Sequence, residues 1–96
     1  MEKAIYGRHA ERLQETLVRM RQDAGLTQRQ LAAKLGVVHS FVGRVEIGER
    51  RLDLVEFWHY ARICGQDPAV AAKALMEDFN GIPETSGSSI DPGGAR

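Results

Sequence analysis

This 96-residue chain predicts an all-α, compact five-helix domain. Three observations carry that expectation. Apolar residues recur at intervals of three and four through most of the chain, the spacing of helices that bury one face. Glycines close those stretches at Gly25, Gly36, Gly48 and Gly65. Starting signals precede three of them: Thr27 with Gln30, Asp53 with Glu56, and Asp67 with Pro68.

The first helix carries Tyr6, Ala10, Leu13, Leu17, Met20 and Ala24 on one stripe and ends at Gly25. Gly7 weakens its beginning, so residues 1–7 are expected to fray or to lie outside it. The second helix opens on a capping box, with Leu26 before the N-cap Thr27 and Gln30 three residues after it. Leu31, Ala32 and Leu35 mark its buried face, and Gly36 turns the chain. Val37 is expected to fill the angle to a third helix, whose inward face is Val42 and Val45 and which Gly48 closes. Two short helices joined in this way form a helix-turn-helix, the unit that lays its second helix in the major groove of DNA.

Asp53 caps the fourth helix, with Leu54, Phe57, Trp58, Ala61 and Cys64 as its apolar stripe. Asp67-Pro68 starts the fifth, Ala69 to about Phe79, with Ala71, Ala74, Leu75 and Phe79 on one side. Val70 and Met76 extend its apolar surface beyond a single face. From Asn80 the composition changes: the last 17 residues hold four glycines, three serines and two prolines, with only Ile82 and Ile90 as candidates for burial. The expectation is one domain over residues 1–79 and a flexible tail over 80–96.

The series Arg21…Gly25-Leu26-Thr27-Gln28…Leu31-Ala32…Leu35-Gly36-Val37…Val42…Val45-Glu46…Gly48 resembles the Xre-type, phage-repressor-like helix-turn-helix family. The resemblance runs from about Leu13 to about Gly65. It implies a lambda-repressor-like fold and an ion pair between Arg21 and Glu46 that fixes the angle between helices. Two separate surface charges are the alternative, since exposed ions are the norm.

The resemblance also implies where DNA would be met. Gln28, with Arg29 beside it, matches a position that commonly bonds phosphate, and the positive end of a helix suits an anion. On the recognition helix, Val38, His39, Ser40, Gly43 and Arg44 are expected to face outward, because Val42 and Val45 face inward. Arg44 is the best reader, since its fork can bond guanine O6 and N7 together. Ser40 and His39 can bond a base or a phosphate, and Val38 can offer a methyl contact to thymine. Arg50 and Arg51 are assigned to the phosphate backbone.

Four residues depart from the family's pattern. Val38 stands where a serine or threonine cap is usual, and Gly43 removes a side chain from the reading face. Phe41 and Ile47 are apolar where small or polar residues are commoner. Gly43 can serve close approach to the duplex, whereas Phe41 and Ile47 could instead belong to a protein-facing patch.

Charge distribution agrees with a DNA-facing unit. The formal net charge is zero, which argues against coating nucleic acid by bulk attraction. Residues 28–51 nevertheless carry five positive groups against two negative, a balance of +3, while residues 52–96 carry three against seven, a balance of −4. Placing the basic groups on the reading unit is what phosphate attraction requires. The N-terminal stretch is charged, and no apolar run reaches membrane length, so a cytoplasmic protein with no membrane partner is expected.

Nothing points to catalysis, a metal or a cofactor. His9, His39 and His59 fall on three different helices, and His59 and Cys64 are five apart, on different faces of one helix. Cys64 is the single cysteine, which excludes an intramolecular disulfide and suits a buried, inert thiol. Gly93-Gly94 has no strand or helix around it to make a phosphate loop.

The sequence therefore reads as a sequence-specific DNA-binding transcriptional regulator, a repressor, and not as an enzyme. It would act on double-stranded DNA as a homodimer, on an inverted-repeat operator with half-sites about one DNA turn apart. The C-terminal helices would supply the dimer surface through Trp58, Tyr60, Ile63, Val70, Met76 and Phe79. Two alternatives involve a protein partner: an antitoxin that also binds its own operator, and an interaction module whose helix-turn-helix has lost base reading.

Overall fold

Five helices follow one another in the computed structural model: α1 (Gly7–Asp23), α2 (Gln28–Leu35), α3 (Phe41–Glu46), α4 (Leu54–Ile63) and α5 (Pro68–Asn80). The structure describes residues 7–84, and among them there is no strand. Tyr6, Ile90 and the tail from Thr85 onward lie outside the described residues.

Local chemistry sets the helix starts. At α2, Thr27 Oγ1 accepts from the Gln30 N–H at 3.0 Å, and Gln30 Oε1 accepts from the Thr27 N–H at 2.9 Å. Asp53 and Glu56 repeat the arrangement at α4, at 2.7 and 2.9 Å. At α5, Asp67 Oδ1 accepts from the Ala69 N–H at 2.8 Å, and Pro68 occupies the first position, where its missing N–H costs nothing. Between α2 and α3 the chain turns at Gly36, whose φ of +76° a side chain would strain.

The core draws on every helix. Leu17 and Met20 of α1 meet Leu31 and Ala32 of α2, Val42 and Val45 of α3, Phe57, Tyr60, Ala61 and Cys64 around α4, and Leu75 of α5. Helix α1 touches both α3 and α5, α2 touches α3 and α4, and α4 touches α5. The helix-turn-helix is thus seated on α1 and α4, and α5 braces the far side.

Four sequence expectations change. Val38, His39 and Ser40 do not begin the recognition helix; they form the turn before it, closed by Phe41 N–H to Val38 O at 3.0 Å. Ser40 is the N-cap but makes no side-chain cap bond, and α3 is only six residues long. Leu54 is 75% exposed and off the buried stripe of α4, which instead runs through Phe57, Tyr60, Ala61 and Cys64. On α5, Ala72 turns inward and Ala74 is exposed, because the axis of the buried stripe lies nearer Leu75 and Ala71. Ile82 is buried, so packed structure continues beyond residue 79, two residues past the end of α5.

The surplus apolar set on α4 and α5 also divides. Tyr60 is fully buried, and Ile63 and Phe79 lie half-buried against the core, so these three belong to the domain itself. Trp58, Val70 and Met76 remain exposed, joined by Leu54 and Val55.

Candidate nucleic-acid interface

The surface formed by α2, the turn before α3, α3 itself and the loop after it gathers the residues that the sequence assigns to DNA. Gln28 and Arg29 open α2 and are exposed. Val38, His39 and Ser40 are exposed on the turn, and Arg44 is exposed on α3. Among the described residues, no hydrogen bond or ion pair holds the Arg44 side chain, which leaves its five donors available to a ligand. Gly43 is half-buried beneath the Gln28 side chain: a Cβ there would stand 3.3 Å from Gln28 Oε1.

Behind this surface, Arg21 and Glu46 fix how α3 sits. Arg21 Nε donates to Glu46 Oε2 at 2.6 Å and Nη2 to Oε1 at 3.1 Å, while Nη1 donates to the Leu26 carbonyl at 2.9 Å. The fork therefore ties α1 to the end of α3 and to the loop before α2. Only 12% of the Arg21 side chain and 5% of that of Glu46 remain exposed. The carboxylate's hydrogen bond, more than any other influence, raises the Arg21 pKa and keeps the guanidinium charged despite its burial. Gln28 joins the pair, its Nε2 donating to Glu46 Oε1 at 2.8 Å.

The basic loop is only partly available. Arg50 makes a two-bond fork to Glu56, at 2.8 and 2.9 Å, and lies 4.7 Å from the centre of the Phe41 ring. It also donates to the Arg51 carbonyl. Glu56 is held below the ordinary carboxylate range, first by the hydrogen bonds from Arg50 and then by the Asp53 N–H. Arg51 is exposed. Phe41 is half-buried under Arg50 and packs on the core, whereas Ile47 is 66% exposed.

Sequence reasoning assigns Glu56 to the cap alone and gives Gln14 no role. Glu56 does both jobs: Oε1 accepts from the Asp53 N–H and from Arg50, and Oε2 accepts from Arg50. Gln14 of α1 lies over Gly48, at the turn that ends α3. A charge pair spanning six residues across a loop has no fixed sequence spacing, so only the opposite signs of Arg50 and Glu56 hinted at it.

The rest of the chemistry is quiet. Among the described residues no group of His, Cys, Asp and Glu could hold a metal ion, and no helix is long and apolar enough to cross a membrane. Burial raises the pKa of the Cys64 thiol, which favours the unreactive protonated form. Burial likewise raises that of Tyr60, whose hydroxyl finds no hydrogen-bond partner among the described residues.

Residues 12–74 match the helix-turn-helix domain family. Among solved structures, the chain is similar to an XRE-family like protein from Pseudomonas syringae pv. tomato str. DC3000. The two are 39% identical and superpose with a TM-score of 0.72, over 79% of this chain and 93% of that one. No curated protein matches. A family match over most of the chain, the similar structure and the helix-turn-helix geometry agree: the chain belongs to the Xre-type family of DNA-binding helix-turn-helix proteins.

Proposed function

We propose that this protein is a sequence-specific transcriptional regulator of the cytoplasm that represses by binding an inverted-repeat operator as a homodimer. One observation carries the reading: Arg44 stands exposed on the outer face of a recognition helix, with no partner among the described residues, and a mostly buried ion pair sets the angle of that helix. A presented guanidinium on a rigid support is what guanine readout needs, because base discrimination depends on a two-bond geometry. Arg29 on α2 and Arg51 in the loop after α3 are exposed positive groups suited to the backbone, and His39 and Ser40 offer hydrogen-bonding groups on the turn before α3. Arg50 contributes less, since Glu56 occupies both arms of its fork.

A protein-interaction role for the same face loses one of its supports. Phe41 serves the core and Arg50, and does not extend an apolar patch with Ile47.

The first test is selection of bound sequences from a random duplex pool at two salt concentrations, with the mass of the free protein measured in solution. Enrichment of an inverted repeat with half-site centres about ten base pairs apart is the expected result. Sequence-blind binding that vanishes as salt rises would leave only phosphate attraction and end the regulator reading. Within an enriched site, Arg44→Ala should erase a guanine preference, by about 5- to 150-fold at that base pair, while binding to random duplex weakens far less.

A further inference from the structure

Helix α3 presents two outward positions, Gly43 and Arg44, because Val42 and Val45 are buried and successive residues step by about 100°. One of these has no side chain. The space above Gly43 is taken instead by Gln28 from α2, whose Oε1 lies 3.3 Å from where a Cβ would be.

This placement is held from below. Glu46 is fixed by Arg21 at 2.6 and 3.1 Å and accepts from Gln28 Nε2 at 2.8 Å. An ionised carboxylate only accepts hydrogen bonds, so the Gln28 amide must turn its nitrogen to Glu46 and its oxygen elsewhere. That bond uses one of the two N–H groups of Nε2. The second N–H and Oε1 have no other partner among the described residues, and Gln28 is exposed. An oriented amide with one free donor and one free acceptor is the pattern that matches the N7 and N6–H₂ edge of adenine in the major groove.

We infer that Gln28 is a specificity-determining residue: laid across Gly43, it replaces the missing recognition-helix side chain and reads an adenine next to the base read by Arg44. Gly43 is then not a defect in the reading face but the opening through which a side chain of the preceding helix reaches the groove. The competing role is a neutral phosphate contact, which would position the domain without reading sequence. The orientation of the amide argues against it, because a phosphate only accepts hydrogen bonds and would leave Oε1 unmatched, whereas an adenine edge uses both the free N–H and Oε1. The inference rests on the DNA-binding reading above.

The test compares wild type, Gln28→Ala and Gly43→Ala by selection from the same random duplex pool, with a thermal melt of each variant. Gln28→Ala should flatten an adenine preference at one base pair per half-site, a loss of about tenfold there, and keep the guanine preference due to Arg44. Gly43→Ala, whose new methyl stands 3.3 Å from Oε1 and shifts the amide only slightly, should blunt the same position by less than Gln28→Ala does. An equal loss at every sequence would overturn the inference in favour of a backbone contact. An unchanged preference in Gln28→Ala would overturn it in favour of a purely structural bond to Glu46, and a lower melting temperature would accompany that result. If wild type itself enriches no sequence, the DNA-binding reading fails, and this inference with it.

Discussion

Arg21 and Glu46 stand 25 residues apart in sequence, yet three helices depend on their contact. Two hydrogen bonds join the side chains, a third reaches the Leu26 carbonyl and a fourth comes from Gln28. Removing two charges from water is costly, and the gain returns only when every donor and acceptor is used. Here most are. The contact's value therefore lies in the penalty for breaking it. Glu46→Ala leaves a guanidinium almost wholly out of water with one carbonyl partner, and should cost about 3 kcal/mol. That is a large share of the roughly 5–15 kcal/mol that holds a small domain. Urea unfolding of wild type, Glu46→Ala and Glu46→Gln measures it, with the glutamine variant expected to lie between the others. A stability unchanged in Glu46→Ala would mean that Arg21 finds water as soon as the carboxylate leaves.

At the level of the element, the end of α3 matters as much as its start. Gly48 has a φ of +83°, and a Cβ there would come 2.6 Å from Nε2 of Gln14 on α1. Gly25 has a similar φ of +74° with open space around it. The pair separates backbone strain from crowding. Gly25→Ala should cost about 1 kcal/mol from the left-handed conformation alone. Gly48→Ala should cost more by whatever it takes to move Gln14, and that excess should vanish in a Gln14→Ala background. Equal costs in the starting background would show that Gln14 swings away freely. The same contrast explains what can be read from the sequence. The capping boxes at Thr27 and Asp53 are legible because each closes within four residues. The start of α3 is not, since Val38 carries no cap and Ser40 caps without a side-chain bond, which leaves only periodicity to mark a six-residue helix. Nor is the choice between Ala72 and Ala74, two small residues on either side of the α5 stripe. Gln28 over Gly43 is hidden for a different reason: it depends on how two helices cross, and no spacing within either one encodes that.

For the whole molecule, the polar reading surface and the exposed apolar residues are largely segregated. Among the described residues, five of the seven large apolar residues left exposed lie on α4 and α5, and the other two, Val38 and Ile47, flank α3. Leu54, Val55 and Trp58 share one side of α4, at i, i+1 and i+4. Leu54 and Met76 rim a single apolar groove floored by Phe57, Ala72, Leu75 and Phe79. A second copy of the chain covering this side would remove these apolar side chains from water and leave both α3 helices free for DNA. The homodimer proposed for this protein is thus expected to use Leu54, Val55, Trp58 and Met76, with Tyr60 reserved for the core. Leu54→Asp tests this without threatening the fold, because Leu54 is 75% exposed and occupies the first position of α4, where a carboxylate suits the positive helix end. Combined with Met76→Asp, it should convert a dimer into a monomer by sedimentation or light scattering. Binding to an inverted repeat should then fall toward that of a single half-site, because the two recognition helices would no longer be linked. A dimer that persists in the double variant would place the contact on another surface. Loss of half-site binding as well would mean that the substitutions had reached α3 through the core.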